Sequence, residues 1–246
     1  MPTENHVAIK VWDAPVRIFH WAIVALLVFQ AITGEIGGED VMSMHIVSGY
    51  CILVLVIFRI LWGFAGSTHA RFASFLAGPA ATMRFARRLF SRQAVPQVGH
   101  NPLGGWSVVA MIAVLGAQAL SGLFANDGDT ALGPLAPLVS IDTSNAFTEF
   151  HRWNLKLLLV LAGLHVLAVL FHWVFKKDNL IIAMFTGVKD VPEAAVRERR
   201  DAMRKSPARR SASREHAHAY FASTRRAIVL FVLSVAIVVV LVRFGS

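Results

Sequence analysis

Residues Phe150 to Val174 read FHRWNLKLLLVLAGLHVLAVLFHWV, an apolar run that nonetheless carries His151, His165 and His172. About 20 apolar residues suffice to cross a bilayer. Histidine inside such a span is costly and marks a functional site by default. His151 and His165 are fourteen residues apart. That is close to four whole helical turns, so both imidazoles point the same way, ~21 Å apart along the axis. One helix therefore presents imidazoles at two depths, and the rest of the chain decides whether they find partners there.

The chain offers four further apolar runs: Ile18 to Thr33, Ile46 to Ala65, Trp106 to Phe124 and Ala227 to Val242. With 56% hydrophobic residues and a mean hydropathy of +0.57, the chain is an integral membrane protein. A soluble domain is ~45–50% apolar. Asp13-Ala14-Pro15 marks a helix start, with a capping Asp and Pro in the first turn. The first run is read as a span and not as a cleaved signal, because the preceding segment is long, His20 and Trp21 stand at its start, and no A-x-A site follows. Cys51 is the sole cysteine, and there is no C-x-x-C-H. That excludes an internal disulfide and covalent c-type haem attachment.

Charge alternates along the chain. Glu35 to Asp40 carries only acids, as does Ala125 to Glu149, with Asp127, Asp129, Asp142 and Glu149. Gly66 to Gly104 carries only bases, including Arg71, Arg84, Arg87, Arg88 and Arg92, and Lys176-Lys177 follows the fourth run. Basic loops stay cytoplasmic. The N-terminus is then cytoplasmic, and the acidic loops and the C-terminus lie on the far side of the membrane. The excess of nine positive charges reflects this rule and indicates no nucleic-acid partner. Pro79 to Phe90 has the pattern of an amphipathic surface helix.

The expected fold is all-α: a four-helix transmembrane bundle with a fifth C-terminal transmembrane helix. Residues 1-189 form the membrane domain, 190-226 a basic, partly helical cytoplasmic linker held near anionic lipid, and 227-244 the added helix. That helix is a lipid-facing anchor or a partner contact. We find no internal repeat.

Orientation fixes depth. His45 and His151 fall at the outer level, on the second and fourth helices. His20 and His165 fall at the inner level, on the first and fourth. Two imidazole pairs on facing helices are what two bis-histidine b-type haems need. A single copper or zinc ion would need all its ligands within a few ångströms, which two levels forbid. Arg59, fourteen residues after His45, shares its face at the inner level and suits a haem propionate; the alternative is a side chain snorkelling to the interface. Gly49 and Gly63 would let a flat macrocycle approach the backbone. His172 competes with His165 for the inner ligand. His100, Asn101, Trp106 and His172 are candidates for a quinone site near the inner haem, against a plain role as interfacial anchors.

These residues resemble the bacterial cytochrome b561 family, which includes the b-type cytochrome subunits of nickel–iron hydrogenases. The likeness lies in Val11 to Trp21, in Phe58 to Phe64 with His69 to Phe72, in Gly99 to Gly105, in Leu164-His165-Val166, and in Asp178-Asn179-Leu180 with Met184. It implies a diheme four-helix fold with ligands at His20, His45, His151 and His165. It leaves His172 and the fifth helix unassigned. Both irons would be six-coordinate, which suits outer-sphere electron transfer. The expected function is electron transfer in a respiratory chain, between the quinone pool and a periplasmic c-type cytochrome, dehydrogenase or hydrogenase. The alternatives are a stand-alone superoxide:ubiquinone oxidoreductase and a non-redox membrane anchor subunit. The acidic periplasmic loops would repel superoxide and suit a cationic partner.

Overall fold

A computed structural model describes residues 6–89, 99–128, 131–193 and 221–245. Its helices are α1 (Ala14–Ile36), α2 (Glu39–Ala65), α3 (Phe72–Phe75), α4 (Pro79–Arg88), α5 (Pro102–Gly122), α6 (Ile141–Phe175), α7 (Leu180–Thr186) and α8 (Thr224–Arg243). Among the described residues, α1, α2, α5, α6 and α8 are long and apolar enough to cross a membrane, as expected from the apolar runs. α4 forms on the segment read as amphipathic, with Pro79 at its first position. The linker expected over 190-226 falls largely on residues 194–220, outside the described ones.

The chain divides into two compact units. The first comprises residues 1–17, 62–108 and 165–223. Here strands β1 (His6–Lys10) and β2 (Val188–Pro192) pair antiparallel, with Ala8 opposite Asp190. The membrane domain was expected to end at residue 189. β2 runs across that boundary. Its pairing is non-local, and five-residue strands leave little periodicity to read.

The non-histidine motifs converge in this unit. Asp13 caps α1 through Val16 N–H at 2.9 Å, and its other carboxylate oxygen accepts Trp62 Nε1–H at 2.9 Å. Trp62 is 0% exposed. Arg17 Nη1 donates to the Phe185 carbonyl, and the Gly187 carbonyl accepts from Val11 and Trp12. Lys189 pairs with Asp178 at 2.7 Å. Asp13→Ala removes a helix cap and strands a buried indole donor, so unfolding in detergent should cost about 2–4 kcal/mol less. Denaturant titration of the purified variant checks this, and Trp62→Phe should lose a comparable amount, because it keeps the cap but strands a buried carboxylate oxygen and opens a cavity.

The second unit comprises residues 18–61, 109–164 and 224–246. Its core joins the four long helices: Ile23 of α1, Ile52 and Val56 of α2, Leu115 of α5 and Leu158 of α6. α8 packs on α2, with Val238 in a cluster with Leu53, Leu123 and Leu135, and Phe231 beside Phe58. Ala227, Ser234 and Val238 form its buried stripe, at helical spacing, while Val229, Val232 and Val240 are exposed. α6 begins at Ile141, nine residues before the apolar run. The cause is local: Ser140 Oγ accepts Thr143 N–H, and Asn126 ties the preceding loop to Ser144 and Thr148. Part of the expected acidic loop is therefore helix, with Asp142 in the first turn, where a negative charge is favoured.

Candidate functional site

His45 stands in the second turn of α2, and His151 lies on α6. The structure brings them opposite one another in the second unit, ring centroids 6.3 Å apart and planes at 68°. Each ring rests on a neighbouring helix in the same manner. The Nδ1 of His45 lies 3.1 Å from Thr33 Oγ1 of α1, and the Nδ1 of His151 lies 3.1 Å from Ser121 Oγ of α5. The next residue on the supporting helix is glycine in both cases. A Cβ on Gly34 would meet His45 Cε1 at 3.1 Å, and one on Gly122 would meet His151 Cε1 at 3.1 Å. Each imidazole thus occupies a notch that a larger residue would narrow.

The tautomer follows from the hydrogen-bond network. Thr33 donates its hydroxyl hydrogen to the Phe29 carbonyl at 2.9 Å, and Ser121 donates to the Gln118 carbonyl at 3.0 Å. A hydroxyl has one hydrogen, so each oxygen is left to accept from an imidazole Nδ1–H. Both rings are therefore assigned as Nδ1–H tautomers, which keeps the Nε2 lone pair for a metal. Two metal–nitrogen bonds of ~2 Å, plus about 1 Å from each ring nitrogen to its centre, space two centroids ~6 Å apart. The observed 6.3 Å fits one iron between the two rings. Among the described residues no group of three or more His, Cys, Asp and Glu is placed to hold a metal ion. A two-histidine pair suits an iron whose other ligands come from a porphyrin.

The helix pairs are pinned around this site. Gln30 Nε2 donates to the His45 carbonyl at 2.7 Å and to Ser48 Oγ at 2.8 Å. Asn154, buried, donates to the Val114 carbonyl at 2.9 Å and to Gln118 Oε1 at 2.8 Å. The sequence carries a signal for all of this: Gln30-Ala31-Ile32-Thr33-Gly34 and Gln118-Ala119-Leu120-Ser121-Gly122 are a short internal repeat. Each is paired with a histidine and a polar residue three positions on, Ser48 or Asn154. The expectation that no repeat exists is corrected here.

The other expected site residues are placed as follows. His20 lies on α1 with its ring against Trp21, and His165 lies on α6; both are half-buried. Arg59 is 3% exposed, so it is a buried guanidinium and does not snorkel. Gly63 is filled by the Phe72 ring, which an added Cβ would strike at 2.1 Å. Gly49 borders Gln30. The glycines that seat imidazoles are Gly34 and Gly122, on the facing helices. In the first unit, Asn101 Nδ2 approaches His172 Nε2 at 3.4 Å, while its Oδ1 caps α5 through Gly104 N–H. His100 packs between Trp12 and Phe75 at 4.6 and 4.7 Å, and Trp106 Nε1 donates to the Ala77 carbonyl.

A membrane bundle with an opposed imidazole pair fits an integral membrane b-type cytochrome, which binds haem b and transfers electrons. The family model of prokaryotic cytochrome b561 matches residues 11–187, and the chain belongs to that family. Among its relatives is the probable Ni/Fe-hydrogenase B-type cytochrome subunit of Rhizobium leguminosarum bv. viciae, 24% identical over 73% of this chain and 88% of the relative. The protein of the same name from Azotobacter vinelandii is 25% identical over 75% and 89%. The probable Ni/Fe-hydrogenase 1 B-type cytochrome subunit of Escherichia coli K12 is 23% identical over 76% and 93%. No solved structure matches the chain.

Proposed function

We propose that the chain is a two-haem electron conduit of the bacterial inner membrane, linking the quinone pool to a periplasmic redox partner in a respiratory chain. His45 and His151 hold the periplasmic haem. His20 and His165 hold the cytoplasmic one, paired by their equal depth in the charge-oriented helices, with Arg59 set to balance a propionate. The observation that carries the reading is the 6.3 Å His45–His151 pair with both Nδ1 atoms already engaged. Haem supplies the one-electron chemistry; the protein orients it, excludes water and sets its potential.

Quinone is proposed to bind near His100, Asn101, Trp106 and His172. Asn101 and His172 supply facing polar groups there, and Trp106 an interfacial anchor. The partner class follows from the relatives named as hydrogenase cytochrome subunits, which favours a hydrogenase over a c-type cytochrome or another dehydrogenase. Glu35, Glu39, Asp40, Asp127 and Asp142 make the proposed periplasmic side acidic, which suits a cationic docking face. The test is a reduced-minus-oxidised spectrum with a haem count, followed by stopped-flow reduction. Two b haems per chain and reduction by a quinol analogue are expected. A single haem, or reduction by superoxide at a near-diffusional rate, would replace this reading with another.

A further inference from the structure

We propose that Thr33 and Ser121 are positioning residues that lock His45 and His151 as Nδ1–H donors and thereby lower the reduction potential of the haem between them. The inference rests on the ligand reading of His45 and His151 above. Neither hydroxyl touches iron or porphyrin in this scheme. Each acts through the imidazole it accepts from.

Three observations support the assignment. Both hydroxyl residues are buried, Thr33 at 4% and Ser121 at 2% exposure. Each hydroxyl has a carbonyl to donate to, Phe29 for Thr33 and Gln118 for Ser121, which leaves its oxygen to accept from the ring. The arrangement occurs twice on separate helices, in the Q-A-x-[ST]-G repeat, and each copy seats its ring over the following glycine. Gln30 and Gln118 fix the register of each helix pair, through Ser48 and Asn154, so the ring meets the hydroxyl and not the next turn.

The chemistry follows from the donor. An imidazole whose Nδ1–H is hydrogen-bonded puts more electron density on Nε2 and is the more basic ligand. A more basic axial ligand stabilises ferric over ferrous iron, so the potential falls. A hydroxyl is a weaker acceptor than the carboxylates that often fill this role, so the displacement per ligand is moderate. Two equal hydroxyls on one iron give two equal contributions.

The test uses the full-length protein with its haems. Ser121→Ala removes one oxygen and leaves a good helix former. Thr33→Val keeps the shape of the side chain. Both should retain haem, and the component that is missing from His45→Ala should titrate with its ferric/ferrous equilibrium moved about tenfold toward ferrous, ~59 mV positive for one electron. The double variant should move further in the same direction, and its low-spin ferric resonances should shift. Ser121→Thr and Thr33→Ser should restore the parent potential. A Ser121→Ala protein with full haem content and an unchanged potential overturns the proposal, whatever the stability of Thr33→Val. Failure of the ligand reading itself would show earlier, as an unchanged haem content in His45→Ala and His151→Ala.

Discussion

His151→Ala, purified in detergent, is expected to carry about half the haem of the parent chain, with the periplasmic component gone and the other retained. Non-covalent haem in such a site is held by its two axial bonds and by packing. Removing one imidazole leaves His45 alone on the iron, and the space opened on the α6 side admits lipid or water. Loss of the hydrogen-bond partner behind a ligand alone costs about 10–100-fold in affinity, so loss of a ligand costs more. His45→Ala should give the same spectrum, because the two rings lie 6.3 Å apart and are proposed to share one iron. Imidazole added to a His151→Gly protein should restore part of the missing band, since the Ser121–Gly122 notch that seats the ring is intact. Unaltered haem content in both alanine variants would remove these residues from the site. Loss of both haems from each would mean that the pair holds the bundle together and not one cofactor.

The histidines were legible because helices repeat every 3.6 residues and loops carry charge. Spacing puts His151 and His165 on one face, and charge alternation gives each helix a direction, which sets His45 and His151 at one level. What supports the rings was not read, although the letters were present. The repeat is five residues long, and its histidines follow at unequal distances, eleven residues after Gly34 and twenty-nine after Gly122. The second gap holds the loop from Leu123 to Ser140, so self-comparison at one fixed offset misses it. Glycine was sought on the wrong helix. Spacing along α2 pointed to Gly49 and Gly63, whereas an imidazole reaching across a bundle needs its glycine on the neighbour. Gly63 instead makes room for Phe72.

The structural motifs were legible as a pattern and opaque as causes. Asp13 was read as a cap, which it is, but its second bond to Trp62 joins residues forty-nine positions apart and has no local signature. The β1–β2 pair is of the same kind, with Val7 opposite Val191. The early start of α6 depended on Ser140 among Ser, Thr and Asp neighbours, any of which can cap.

For the proposed cytoplasmic haem, His165 and His172 are rival ligands by spacing, and the contacts of His172 favour His165. The His172 Nδ1 donates to the Ala168 carbonyl at 2.9 Å, one turn back on its own helix. That leaves its Nε2 as the acceptor, and Asn101 Nδ2 approaches it at 3.4 Å. The amide cannot reverse its ends without cost, because Asn101 Oδ1 accepts Gly104 N–H at the start of α5. To bind iron, His172 would have to give up the Asn101 contact. The fourteen-residue spacing of His165 from His151 keeps it on the same face of α6. His165→Ala should therefore lose the second haem while keeping the His45–His151 component, and His172→Ala should keep both. The expected deficit in His172→Ala is in quinol-driven reduction, with the dithionite-reduced spectrum unchanged. A pigment analysis with the two variants exchanged, haem lost from His172→Ala and full in His165→Ala, would move the cytoplasmic ligand two turns along α6 and detach the Asn101–His172 pair from any quinone role.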